Sequence, residues 1–451
     1  MTKQDLTEVQ GLLASGYARQ RAMSCLLLKI VDPQSARSWL GDLVPQLTFC
    51  GDKTSQSKLN IAFTYRGLQR LIGPDELQGF PREFCEGMVT PHRQRVLGDL
   101  PGSPSDPEMW QWGGPNSEAI DVLLLAYELH TAALESRLGE LRNDRRGVEL
   151  IAERRTAALK NNKEHFGFRD GIAQPWVAGL HRNGMDRDGV ALGELVLGYD
   201  DNTGVPEPAP ELAANGSYLV LRQIVQRVTE FWNAFPDVSA EEKIRRAAKM
   251  VGRWPDGTPL TLSPDRPDPT KPLNDFDFAK SDAAGTACPL GSHIRRANPR
   301  DALLPDPAQS RHTVNRHRML RRGRAFGLPA PPNTYPDNLE VRADDDAVGD
   351  TEERGLLFIC LVASLSRQFE FGQHSWLNNP KFLNLSADTD PIASPVQWSG
   401  PDQKPFVTAQ ACPLRFRAQE REKYVHTVAG AYFLLPGKSA MRRLCQPPTM
   451  S

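Results

Sequence analysis

The sequence predicts an α+β fold built from two related units, each an antiparallel sheet with helices on one face. Three observations predict it. In the first half, short apolar runs alternate with helical stretches; a proline-rich break follows; then the same pattern begins again. A chain of 451 residues is also too long for one ordinary core.

The elements follow in order. Residues 24–30 (Ser-Cys-Leu-Leu-Leu-Lys-Ile) read as a strand, and 34–43 as a helix with Ala36, Trp39, Leu40 and Leu43 on its apolar face. Residues 59–64 alternate like a half-buried strand, and a helix is expected over 65–72. Residues 121–126 form a third apolar strand, which the pattern continues into one long helix over 128–158. This strand-helix-strand, strand-helix order is that of a split βαβ unit. The break at 203–215 carries Pro206, Pro208 and Pro210. Beyond it, 217–224 read as a strand, and Ser239-Ala-Glu-Glu242 is a capping box for a helix reaching Val251. Residues 356–363 and 428–435 are two more buried strands, and the Pro- and Asp-rich stretch 254–280 reads as a surface loop.

Composition narrows the function. With 39% hydrophobic and 24% charged residues the chain reads as soluble and globular, and a net charge of −1 gives no global attraction to nucleic acid or a membrane surface. No apolar run approaches the ~20 residues of a bilayer span. The N-terminus, Met1-Thr-Lys-Gln-Asp-Leu-Thr-Glu, lacks a signal-peptide layout. The 7 cysteines, Cys25, Cys50, Cys85, Cys288, Cys360, Cys412 and Cys445, include no Cys-x-x-Cys pair. Dispersed thiols of this kind fit a reducing cytoplasm, which is the compartment expected.

Two constellations carry chemistry. Residues 165–175 read His-Phe-Gly-Phe-Arg-Asp-Gly-Ile-Ala-Gln-Pro, which places Asp170 between Gly167 and Gly171 among apolar side chains. Asp-Gly is a frequent turn signal, and a carboxylate so placed is also a candidate acid/base. The second lies between Cys288 and Gly327, where Arg295, Arg296, Arg300, Arg311, Arg316, Arg318, Arg321, Arg322 and Arg324 face only Asp301 and Asp306. The stretch lacks the aromatic interleaving of single-strand binders, so a nucleic-acid role is not expected. Clustered arginines also suit a buried dianion. His293 follows a Gly-Ser turn within this stretch, and a neutral imidazole there can coordinate iron; His165 is the rival.

Gly167-Phe-Arg-Asp170-Gly171, His293 in His-Ile-Arg-Arg-Ala-Asn-Pro-Arg and Arg321 before Phe326-Gly327 together resemble the dye-decolorizing peroxidase family in both motif and order. Residues 355–361, Gln368-Phe-Glu370-Phe and 430–436 look familial as well. The resemblance implies two ferredoxin-like domains, 1–210 with the Gly-x-x-Asp-Gly motif and 211–451 with the histidine and arginine, packed around a haem pocket. It implies haem b with His293 as the axial ligand, and Asp170 and Arg321 acting on hydrogen peroxide. The partners expected are peroxide and an aromatic reducing substrate, with a homo-oligomer allowed. A non-catalytic alternative is haem binding or handling without turnover.

Further expectations attach to single residues. Glu370 is the candidate partner for the His293 Nδ1–H, Leu356 and Phe358 for lining the pocket, Gly171 for close backbone approach to a flat cofactor, and Arg300 for a propionate. Trp376 and Tyr335 are candidate surface radical sites. Burial would raise the Asp170 pKa and Arg321 would oppose that, which predicts an acidic activity optimum.

Overall fold

The described residues form eleven strands in chain order: β1 (Ala22–Ile30), β2 (Lys58–Phe63), β3 (Val122–Glu128), β4 (Val148–Arg155), β5 (Ser217–Gln226), β6 (Leu320–Arg321), β7 (Arg324–Phe326), β8 (Gly355–Val362), β9 (Pro405–Thr408), β10 (Phe416–Gln419) and β11 (Val425–Leu435). The computed structural model describes residues 6–52, 56–180, 189–344, 352–385, 388–394, 405–408, 416–419 and 423–448; Cys412 lies outside them.

Nine strands form one antiparallel sheet in the order β4-β1-β3-β2-β11-β5-β8-β6, with β7 also paired to β8. The first half contributes β4-β1-β3-β2. The second repeats that order as β11-β5-β8-β6, so each half is a split βαβ unit of ferredoxin-like topology. The halves meet where Phe63 of β2 lies opposite Leu434 of β11.

Both faces of the sheet are buried, which explains why β1 and β3 read as nearly continuous apolar runs. One face packs on helices. Trp39 and Leu40 of Pro33–Leu43, Leu68 of Tyr65–Leu71, Leu138 of Thr131–Asn143 and Met441 of Lys438–Leu444 join Leu26, Val220 and Tyr432 in a single cluster. The other face is covered by the N-terminal segment and by residues 177–180 and 189–196, through Leu12, Leu13, Tyr17, Val177 and Leu195.

The single long helix expected over 128–158 is instead a helix and a strand. Thr131–Asn143 is helical, and β4 follows as an edge strand paired only with β1. Asn143 and Asp144 are poor helix formers whose side chains compete for backbone groups. Glu149, Glu153, Arg154 and Arg155 on the exposed edge give β4 the look of a solvated helix. Elsewhere the expected strands and helices stand, but β2 is buried at every residue rather than half-buried, and the stretch 254–280 sends Trp254, Leu260, Phe276 and Phe278 into the core. Ser239 caps Ala240–Val251, its hydroxyl accepting from Glu242 N–H at 3.2 Å.

A third cluster fixes the candidate site. Phe166 stacks on Phe231 with ring centroids 4.3 Å apart, and Phe168 lies parallel to Trp232 at 6.5 Å. The Asp170 loop, early in sequence, is thus anchored on side chains of the second half.

Candidate active site

Three hydrogen bonds hold the Asp170 segment against β6 and the residues just before it. Arg321 Nη1 donates to Asp170 Oδ1 at 3.1 Å, Arg321 N–H donates to Gln174 Oε1 at 3.0 Å, and Arg318 Nη2 donates to the Ala173 carbonyl at 3.2 Å. Gly171 N–H adds a 2.6 Å bond to Asp170 Oδ1. Gly167 has φ +97°, and a Cβ there would meet Leu339 Cδ2 at 2.8 Å, so only glycine fits. Gly171 has φ +77°, and a Cβ there would meet nothing within 4 Å, so its backbone borders open space.

His293 opens the short helix His293–Ala297, after Ser292 at its N-cap position. Its Nδ1 lies 3.0 Å from Asp390 Oδ2. The other Asp390 oxygen accepts from Ile392 N–H at 2.8 Å and Ala393 N–H at 2.7 Å, so the carboxylate is fully engaged. The glutamate expected in this role is elsewhere: Glu370 pairs with Arg93 Nε at 3.1 Å and accepts from Tyr432 O–H at 3.0 Å. Glu370 belongs to a π-helical stretch, Leu365–Glu370, whose widened turns direct it toward β11.

Arg321 touches Asp170, and His293 lies close enough for its charge to act on Asp170 and to feel that of Arg321. The side chains of Asp170, Arg321 and His293 keep 43%, 32% and 28% of their accessible surface. Burial is nevertheless the largest influence on both Asp170 and His293, and all three charges act on one another. Groups that are accessible yet strongly desolvated line an interior space. At Asp170, burial opposes ionisation; Arg321, the Gly171 N–H and His293 together outweigh it and hold the carboxyl below its ordinary value. At His293, burial favours the neutral ring, but the Asp390 carboxylate outweighs it and raises the pKa.

The sheet supplies the floor. Cys360, opposite Arg321 in β6, shares a face of β8 with Phe358 and Leu356, and both of these stay half-buried while Leu357 and Ile359 on the other face are fully buried. A separate groove of about 1100 Å³ runs beside the same loop, lined by Asn162, Arg169, Trp254 and Asp256, and contains none of the three site residues.

The arginine-rich stretch is chiefly structural. Arg296 is wholly buried and donates to the carbonyls of Gly291, Trp376, Asn379 and Asp388. Arg322 holds the Leu12 and Leu13 carbonyls, and Arg324 those of Gly16, Tyr17 and Gln20. Arg300 donates to the Asn274 and Phe276 carbonyls and lies 4.1 Å over the Phe276 ring. A residue missed by sequence reasoning is Arg253. It is buried, donates to the Gly257 and Leu273 carbonyls, and has no carboxylate partner among the described residues. Burial, then the charges of Arg300 and Arg321, push its pKa down to about 9.

His165 is wholly buried, with Nε2 2.8 Å from the Phe326 carbonyl, and so is not turned to the cavity. Trp376 and Tyr335 are both buried rather than at the surface. Among the described residues, no helix is long and apolar enough to cross a membrane, and Cys25, Cys50, Cys85, Cys288, Cys360 and Cys445 are free thiols.

The donor set fits a haem. His293 Nε2 is left toward the cavity with Nδ1 anchored, a buried cation (Arg253) suits an acidic cofactor edge, and Gly171 leaves room beside it.

Comparison with known proteins agrees. No protein-family model matches the chain. It is 28% identical over 97% of its length to a dye-decolorizing peroxidase of Mycetinis scorodonius, covering 87% of that protein. It is 28% identical to a multifunctional dye peroxidase of an Amycolatopsis species, covering 97% of this chain and 96% of that one. A deferrochelatase of Yersinia pestis is 28% identical over only 45% of the chain and 34% of its own length. Among solved structures, a dye-decolorizing peroxidase complexed with 2,6-dimethoxyphenol superposes with a TM-score of 0.78 at 24% identity, covering 98% of this chain and 100% of that one. An ancestral D-type member gives a TM-score of 0.78 at 24% identity, covering 97% and 98%. Motif order, a doubled split-βαβ sheet and similarity along nearly the whole chain converge: the protein is similar to the dye-decolorizing peroxidases, one of which is described by its heme pocket.

Proposed function

We propose that the protein uses haem b to reduce hydrogen peroxide and oxidises phenolic or dye-like donors, with His293 as the residue that would hold the iron. The observation that carries this reading is the Asp170–Arg321 contact at 3.1 Å facing His293, which is itself backed by Asp390 at 3.0 Å. When bound, haem supplies a redox-active iron at which peroxide is reduced. The chain's residues do the rest. Asp170, kept ionised by Arg321 and Gly171, accepts a proton from a peroxide O–H and holds it for return to the departing oxygen. Arg321 orients that carboxylate and stabilises negative charge as it develops on oxygen. Asp390 fixes the His293 tautomer with Nδ1 protonated, leaving Nε2 as the ligand atom. Arg253, buried within reach of the Arg300 and Arg321 charges, would be the cation available to a haem propionate. Phe358 and Leu356 exclude water.

The 2,6-dimethoxyphenol bound by one structural relative makes that phenol a suitable donor to try here. The similarity to a deferrochelatase supports the alternative of haem handling without turnover, but over less than half of the chain. Division into 1–210 and 211–451 belongs to the same proposal, with the Asp170 loop crossing to pack on the second unit. Steady-state oxidation of 2,6-dimethoxyphenol by purified holoprotein with peroxide separates the readings. Turnover lost in Asp170→Ala with haem retained supports a peroxidase; haem binding without turnover in the wild type supports the alternative.

A further inference from the structure

The loop carrying Asp170 is built around a second carboxylate. Glu164 Oε1 accepts from Phe168 N–H at 2.8 Å. Its Oε2 accepts from Phe166 N–H at 2.8 Å and from Gln226 Nε2 at 2.5 Å. Its backbone closes the same loop, with Glu164 N–H donating to the Phe168 carbonyl at 2.9 Å and Gly167 N–H donating to the Glu164 carbonyl at 2.8 Å. Asp170 lies two residues beyond Phe168, tied at its own N–H to the Asn162 carbonyl at 2.9 Å.

We propose that Glu164 is the positioning residue for Asp170: its carboxylate templates residues 164–168 and so aims the Asp170 carboxylate at Arg321. This rests on the peroxidase reading of the site. Three N–H donors converge on the Glu164 side chain, and only a group whose two oxygens both accept satisfies them all. A glutamine of the same shape turns an NH2 toward one of those donors, leaving a buried N–H unpaired. Burial pushes the Glu164 pKa up to about 7 against the pull of Gln226 and of the Phe166 and Phe168 amides, and Asp170 adds to the rise. The charged or titratable groups around it are Asp170, Lys163 and Tyr335, with Gln226 presented by β5. Gln226 lies at the end of β5, so Glu164 ties the turn that bears the motif to the sheet.

A residue that acts only through Asp170 loses its effect when Asp170 is gone. The test is therefore a cycle of Glu164→Gln, Asp170→Ala and the double variant in holoprotein. It reads the bimolecular rate constant with peroxide and, by mass spectrometry, amide hydrogen exchange over 164–171. Glu164→Gln is expected to keep its haem absorbance and its KM for the phenolic donor. Its peroxide rate constant should fall about 10–100-fold, and exchange in the loop should quicken. The double variant should react no more slowly than Asp170→Ala alone. An equal fold-loss in both backgrounds, or a wild-type rate in Glu164→Gln, overturns the proposal. Wild-type reactivity in Asp170→Ala is a different failure, that of the peroxidase reading itself. If Glu164→Gln does not accumulate as holoprotein, Gln226→Leu, which removes only the third donor, carries the same cycle with the same two outcomes.

Discussion

Asp390 Oδ2 lies 3.0 Å from His293 Nδ1, across 97 residues of sequence, on a side chain with no accessible surface. Burial disfavours its ionised form, yet His293, the Ala393 N–H and Arg296 hold its pKa below the ordinary value. An anion kept charged behind an imidazole makes that ring a stronger electron donor through Nε2. Asp390→Asn should therefore raise the haem reduction potential and slow the peroxide reaction about 10–100-fold. Glu370→Gln, which disturbs only Arg93 and Tyr432, should lower stability without moving the potential. Spectroelectrochemical titration of the two variants checks both.

The pH dependence follows from Asp170. Its folded pKa is lowered, so its contribution to stability is present above the unfolded pKa and is lost as pH falls through the folded one. The same ionised form is the base. The acidic optimum expected from the sequence therefore gives way to a flat profile: the peroxide rate constant should hold steady on acidification and decline only below the ordinary carboxylate range. In Arg321→Leu, burial acts without its main opponent, and the acid limb should move up by about 1–3 pH units. Stopped-flow rate constants across pH measure the limb; an unmoved limb rules out Arg321 as the charge that holds Asp170 ionised.

Asp170, Arg321 and His293 were legible in the sequence because each sits in a short motif of unusual composition. Asp390 was not, because Asp390-Pro391 reads as one more turn and its link to His293 exists only in three dimensions. Glu370 was the nearest motif-bound carboxylate, and its burial against Arg93 shows how a paired core glutamate imitates a functional one. The nine arginines suggested a dianion site; most instead hold loop carbonyls, a use that composition cannot reveal. The fold was legible where strands are buried on both faces. It was misread at β4, where an edge position brings charge into a strand.

The two motif glycines should respond differently to alanine. Gly167→Ala combines a positive φ with a clash against Leu339 and should cost about 1–3 kcal/mol or more. Gly171→Ala meets no atom within 4 Å and should cost about 1 kcal/mol. Its methyl enters the cavity, however, so haem affinity should drop by more than stability does. Denaturant unfolding and haem titration of each variant separate the two effects.

Arg296 ties the helix of His293 to the chain leading into Asp390, through the carbonyls of Trp376, Asn379 and Asp388. Burial pushes its pKa down to about 10, but lysine cannot reproduce its fork across four carbonyls. Arg296→Lys should destabilise by about 1–3 kcal/mol and loosen Asp390, so that part of the Asp390→Asn phenotype appears with Asp390 intact. Thermal unfolding and the haem potential of Arg296→Lys check this together.

The central claim is that one cavity holds haem through His293 and presents Asp170 and Arg321 to peroxide. Its most direct test is the stopped-flow Soret spectrum of wild type, His293→Ala and Asp170→Ala after mixing with peroxide. The wild type should show a haem band that converts rapidly. Asp170→Ala should show the same initial band converting at least about tenfold more slowly, and His293→Ala should lose or shift the band before peroxide is added. Identical starting spectra in all three, or equal conversion rates in wild type and Asp170→Ala, would contradict the account.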